Sequence, residues 1–262
     1  MSNTFWIGLT EFIHVLFEDS ETQNNIFFDA CTIENIELVH VLIEFDFVDP
    51  TANKNHAICV ASENGCAAVV DRLLQDPTKC VDPSYNSNHA IREASRNGHI
   101  AVVDRLLQDN RVIFKSTNDS NIAITLATQN GHIAVVERLL QDTRVTNPIH
   151  FSKYYIVCKA AEYGLISVID KLLQFDDNQV HNYSLTYAIY WTGNNNNVAI
   201  LDKLLEYNIV EIDSSEMKKM IHKAKVNNHI EIVNRLYQEK EKWKTNPKRI
   251  KRGQVEKVSN QG

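Results

Sequence analysis

The sequence contains no run of about eighteen uninterrupted apolar residues, so no membrane-spanning helix is expected from it. Its first twenty residues have no basic stretch ahead of an apolar one and no small-residue cleavage site. Glu11, Glu18 and Asp19 interrupt them instead, and no secretory signal is read there. Motifs that carry chemistry are missing as well. There is no glycine-rich phosphate loop, no His-Glu-x-x-His and no Gly-x-Ser-x-Gly, and no acid–base pair stands apart from ordinary charged helices. An enzyme, a cofactor and a small-molecule substrate are therefore not expected. The five cysteines (Cys31, Cys59, Cys66, Cys80 and Cys158) include no Cys-x-x-Cys pair. Reduced thiols in an intracellular protein are expected rather than disulfides. Cys59, Cys66 and His56 could be imagined around a metal, but they lack paired-ligand spacing, and no metal site is expected.

Positive charge is nearly absent from one end. Residues 1–60 hold ten acidic side chains against Lys54 alone, a net −9, whereas residues 238–262 hold eight basic and three acidic ones, a net +5. Hydrophobic content of 44% and charged content of 23% are those of a folded chain rather than a disordered one.

What the sequence does have is a sentence written again and again. "ASENGCAAVVDRLLQDP", "ASRNGHIAVVDRLLQDN" and "ATQNGHIAVVERLLQD" begin at Ala61, Ala94 and Ala127 and so step by 33 residues. Within one copy, Ala90, Ile91 and Ala94 share a short helical face, Asn97-Gly98 breaks the run, and Ile100, Val103 and Leu107 recur at helical spacing, widened by Val102 and Leu106. Each copy reads as a short helix, a tight turn and a second helix. A reversal this tight calls for a left-handed residue after the first helix, which glycine adopts freely and asparagine tolerates. Gly65, Gly98, Gly131 and Gly164 fill that slot, Asn196 and Asn228 fill it later, and Glu34 stands there in the first copy, at a cost of about 1–2 kcal/mol or with a remodelled turn. The slots step by 31, 33, 33, 33, 32 and 32 residues, giving about seven copies. In the sixth, the four consecutive asparagines from Asn194 read as a lengthened, solvated loop tip. Val48-Asp49-Pro50, Val81-Asp82-Pro83 and Thr146-Asn147-Pro148 read as extended connectors.

Gly98-His99 and Gly131-His132, followed by Val-Val-Asp-Arg-Leu-Leu and Val-Val-Glu-Arg-Leu-Leu, resemble the ankyrin-repeat family. The family's Thr-Pro-Leu-His motif is absent: His89-Ala90-Ile91-Arg92 and Ile122-Ala123-Ile124-Thr125 stand in its place. This variant, with 27 asparagines, is similar to the divergent arrays of amoebae and of the giant viruses that infect them. The resemblance implies an all-α solenoid of stacked helix pairs: a capping helix over 1–23, an array over 24–239 and a basic, disordered tail over 240–262. It implies structural rather than catalytic roles for His99 and His132.

The resemblance also implies that a protein partner binds hairpin tips and the concave face of the first helices. Tip positions are Asn53, Lys54, Tyr85, Asn86, Asp119 and Phe151, and the positions two residues before the turn are Glu63, Arg96, Gln129 and Glu162. They vary between copies while core positions repeat, as either a tailored face or solvated positions free to drift would. Nine of the 22 aromatics lie in 151–191, where Phe151, Tyr154 and Tyr163 fall at expected exposed slots. Lys248, Arg249, Lys251 and Arg252 form a basic cluster in the tail. It could be a nuclear-import signal, a weak nucleic-acid contact or a solubilising end. The repeats themselves, net −11 over residues 1–237, do not suit nucleic acid. The expectation is a monomeric, cytoplasmic interaction scaffold.

Overall fold

The structure is a computed structural model that describes residues 19–75, 80–112, 114, 117–146, 152–174, 182–206 and 214–245. Among them every regular element is a helix. They fall into two compact units that divide between Ser152 and Lys153.

The first unit holds α1 (Ser20–Thr32), α2 (Ile36–Glu44), α3 (Ala52–Glu63), α4 (Ala67–Gln75), α5 (Tyr85–Asn97), α6 (Ile100–Gln108), α7 (Thr117–Gln129), α8 (Ile133–Gln141) and the single turn α9 (Thr143–Thr146). The second holds α10 (Ser152–Tyr163), α11 (Ile166–Gln174), α12 (Asn182–Asn195), α13 (Val198–Glu206), α14 (Ser214–Val226) and α15 (Ile230–Thr245). Apart from α9, the described helices succeed one another as seven pairs. In each unit the first, inner helices stack on one another and the second, outer helices do the same. The expected capping segment lies almost wholly outside the described residues. At the other end α15 continues past Glu239 to Thr245.

Packing follows the repeated letters. Val102, Val103, Leu106 and Leu107 of α6 are buried, as are Val135, Val136, Leu139 and Leu140 of α8 and Val168, Ile169, Leu172 and Leu173 of α11. Each such side chain contributes about 1.5–3 kcal/mol when removed from water. Ordering some thirty residues per pair offsets most of that, so a pair is stable only between neighbours. On the inner helices Ala57, Ala61, Ala90, Ala94, Ala123 and Ala127 are buried around Ile58, Ile91 and Ile124, and their small size lets the backbones approach.

The turns behave as the spacing requires. Gly65, Gly98, Gly131 and Gly164 have φ between +75° and +82°, and Asn196 and Asn228 have φ of +54° and +56°. Glu34 adopts the left-handed conformation itself, at φ +57°. Its carboxylate accepts the backbone N–H of Ala68 in the first turn of α4 at 3.1 Å, which offsets the strain and suits the positive end of that helix.

The asparagine run departs from expectation. It is not a lengthened loop: Asn194 and Asn195 are the last residues of α12, Asn196 makes the turn, and Asn197 caps α13 by accepting the Ile200 N–H at 3.2 Å. Asparagine also serves where the inner helices start. Asn53, Lys54 and Asn55, then Asn86, Ser87 and Asn88, form a left-handed first turn in α3 and α5, and six of the eleven described non-glycine residues with positive φ are asparagine. Asp49 and Asp82 prepare these turns by accepting the backbone N–H of Thr51 and Ser84 at 2.8 and 2.9 Å.

Two features bind neighbours beyond apolar packing. Arg111 is held by Asp109 and donates to the carbonyls of Leu74 (2.9 Å) and Val81 (3.1 Å), capping the end of α4 one pair back. Arg144, held by Asp142, repeats this on the carbonyls of Leu107, Asp109 and Val112. Along the outer helices Arg105 pairs with Asp71, Arg138 with Asp104, Lys203 with Asp170 (2.8 Å) and Arg235 with Asp202. The Asp-Arg letters of each copy are thus rungs to the copies before and after it.

Candidate protein-binding face

Within each unit, taken by itself, the inner helices leave a stripe uncovered. Counting back from each turn residue, positions nine, six, five and two residues earlier recur on one helical face. In the first unit this stripe holds His56, Cys59, Val60 and Glu63 on α3, then His89, Arg92, Glu93 and Arg96 on α5, then Ile122, Thr125, Leu126 and Gln129 on α7. In the second it holds Tyr155, Cys158, Lys159 and Glu162 on α10, then Tyr187, Tyr190, Trp191 and Asn194 on α12, then Lys219, His222, Lys223 and Val226 on α14. Cys59 and Cys158 are buried; the others are half-buried or exposed.

Sequence-expected residues bracket this stripe. Asn53, Lys54 and Asn86 are exposed in the left-handed turns at one end, with Tyr85 half-buried beside them. Glu63 and Arg96 are exposed at the other end, and Gln129 and Glu162 are half-buried there. Arg96 pairs with Glu93 at 2.8 Å. Tyr163 is 46% exposed. Asp119 lies in α7 and Tyr154 in α10, with side chains outside the described residues; Phe151, Lys248, Arg249, Lys251 and Arg252 lie outside them altogether.

The middle of the stripe, missed from the sequence, is where the second unit differs most. On α10, Glu162 accepts a hydrogen bond from Lys159 at 2.7 Å, and that bond raises the lysine's pKa. The same ammonium lies 5.6 Å and 5.8 Å from the ring centres of Tyr155 and Tyr163. On α12, Tyr187 and Tyr190 stand nearly parallel at 6.2 Å, and Trp191 meets both edge-on. Between α12 and α14 a recess of about 200 Å³ is lined by Thr186, Tyr187, Tyr190, Glu216, Lys219 and Met220. The signal was present in the chain: the turn residue fixes the register, and counting back from Asn196 places Tyr187, Tyr190 and Trp191 on the inner face.

The histidines at the turns do structural work. His99 Nε2 contacts the Glu63 carbonyl at 2.9 Å and His132 Nε2 the Arg96 carbonyl at 3.0 Å, while Asn97 donates to the same Glu63 oxygen at 2.8 Å. A turn glycine, a histidine reaching back one pair and a Val-Val-x-x-Leu-Leu outer helix recur together, and the family model for ankyrin repeats (3 copies) matches residues 60–149. Residues 60–149 carry ankyrin repeats. Ankyrin repeats generally mediate protein–protein interaction and are typically non-catalytic. No curated protein matches the chain.

Among the described residues, no group of three or more His, Cys, Asp or Glu side chains is placed to hold a metal ion, and no helix is long and apolar enough to cross a membrane. Cys31, Cys59, Cys66 and Cys158 are buried cysteines, and Cys80 is an exposed one.

Proposed function

We propose that this ankyrin array is a non-catalytic scaffold that binds a protein partner through the inner-helix stripes of its two units, with the left-handed turns at Asn53–Asn55 and Asn86–Asn88 contributing from one end of the first. The observation that carries the reading is a contrast within the chain. Outer-helix core positions repeat almost letter for letter, while the stripe changes from His and Glu on α3 to Tyr and Trp on α12 and Lys on α14. The stripe also keeps large side chains in solvent, among them Ile122 at 38% and Tyr155 at 49% exposure. Exposed aromatic and arginine side chains on a rigid support are what interface anchors are made of.

The test is partner capture from a eukaryotic lysate. The quadruple variant Glu63→Ala/Arg96→Ala/Tyr155→Ala/Tyr163→Ala is compared with wild type and with the outer-helix control Gln108→Ala/Gln141→Ala, each shown folded by circular dichroism. Partners retained by wild type and control but lost by the quadruple variant support the reading. Loss in the outer-helix control alone contradicts it.

A further inference from the structure

We infer that the recess between α12 and α14 anchors one bulky apolar side chain of an acidic peptide segment, whose carboxylates are met by the lysines of α14. The inference rests on the inner face being the protein-binding surface, and it narrows that surface to one recess and one ligand chemistry.

The shape comes first. At about 200 Å³ the recess lies below the roughly 300–1,000 Å³ of small-molecule sites and suits a single large side chain. Its walls are preformed. Met220, buried, belongs to the lining, and Tyr187, Tyr190 and Trp191 hold one another at centroid separations of 6.1–6.2 Å, so little ordering remains for a ligand to impose.

Charge selects the ligand. No ionisable acid or base other than tyrosine lies on α12. On α10 the Lys159 ammonium is already engaged by Glu162 and by two tyrosine rings. On α14, Lys225 is likewise engaged, donating to the Tyr237 hydroxyl at 2.9 Å, but Lys218, Lys219 and Lys223 share their helix with one carboxylate, Glu216. Lys219 lines the recess and Lys223 follows it on the next turn of the same face. Glu216, also in the lining, disfavours an anion inside the recess. The group that enters is therefore uncharged and apolar, and the acidic groups flank it towards Lys219 and Lys223. A single-stranded nucleic acid would share the taste for aromatic rings and cations. Its phosphates need positive charge along their whole path, however, and on the inner helices of this unit α12 supplies no cation between Lys159 of α10 and the lysines of α14, while Glu162 and Glu216 interrupt that path.

The test is fluorescence anisotropy on the full chain with a labelled short polyglutamate peptide carrying one central tryptophan. Comparison probes are the same peptide with serine for tryptophan, a polylysine peptide with the tryptophan, and an oligothymidylate. The tryptophan polyglutamate peptide should bind at least about tenfold more tightly than each of the others. Lys219→Glu and Tyr187→Ala should each weaken it by about tenfold or more. Lys219 is exposed, so its variant reports on binding without threatening the fold. Equal binding of the four probes, tighter binding of polylysine or oligothymidylate, or indifference to both substitutions overturns the inference. Lysate capture separates this from the broader reading. If the quadruple inner-face variant loses the partner while Lys219→Glu and Tyr187→Ala keep it, the stripe stands and this recess does not.

Discussion

The imidazole of His99 occupies the space that a side chain on Gly65 would need: a Cβ built there would lie 2.6 Å from Nδ1. His132 crowds Gly98 in the same way, at 2.5 Å. Each glycine thus answers two demands, a φ near +80° and room for the ring of the next pair. Gly65→Ala and Gly98→Ala should each cost more than the left-handed penalty of about 1–2 kcal/mol. At Gly164 a Cβ would lie 3.1 Å from the Asn197 amide nitrogen, a milder contact, so Gly164→Ala should cost close to that penalty alone. Urea midpoints of the three variants check the order. Equal losses at all three sites would show that the rings move aside.

Arg111 and Arg144 should matter more than the outer-helix rungs. Each caps carbonyls at the end of the preceding outer helix, and Arg111→Ala should cost about 1–2 kcal/mol at neutral pH, with Lys a poor substitute because it lacks the planar fork. The pH dependence follows from Asp109. Its hydrogen bond from Arg111 is the largest influence and holds the carboxyl below its ordinary range against the opposing effect of burial. A depressed carboxylate pKa contributes stability above the unfolded-state value of about 3.9, and that stability is lost as pH falls through the lower folded-state value. The gap in urea midpoint between wild type and Arg111→Ala should therefore narrow from pH 7 towards pH 3. At Asp142 burial is the largest single influence and pushes the pKa up, but the bonds from Arg144 together outweigh it and the net shift is downward, so Arg144→Ala should behave alike.

Arg105→Ala, which removes a rung to the part-exposed Asp71, should cost no more than about 1 kcal/mol, and molar salt should erase most of the difference. A larger, salt-independent loss would mean that the arginine stem rather than the ion pair does the packing.

Thiol chemistry should be selective. Burial raises the thiols of Cys31 and Cys158 to about 12 and that of Cys59 to about 11, and it also raises Cys66. In native buffer at pH 8, one thiol, Cys80, should react promptly with Ellman's reagent, and the remaining four only after denaturant is added. Prompt reaction of a second thiol would point to local opening of an inner helix.

Much of this fold was legible because a repeat constrains itself. Glycine or asparagine at the turn, buried Val-Val-x-x-Leu-Leu and histidine after glycine each recur at fixed offsets. Asn194–Asn197 misled because composition suggested a loop, whereas the turn slot at Asn196 already implied that the preceding asparagines close a helix. The capping arginines were hidden for a different reason. Asp109-Asn110-Arg111-Val112 and Asp142-Thr143-Arg144-Val145 look like polar connector, and only the three-dimensional stack brings the guanidinium to carbonyls more than thirty residues earlier. The ends of the proposed stripe were expected by analogy to the family. Its centre was not, since an aromatic at helical spacing reads equally well as core until burial separates buried Ile189 from half-exposed Tyr187 and Tyr190.

The most direct measurement places a photo-crosslinking benzoylphenylalanine at one position at a time in the full chain, then irradiates it in a eukaryotic lysate. Ile122 and Tyr155 sample the inner stripe, and Gln108 and Gln141 sample exposed sites on the outer helices. Discrete covalent adducts from the two inner positions, with none from the two outer ones, are the expected result. Adducts confined to Gln108 and Gln141 would contradict the inner face as the working surface.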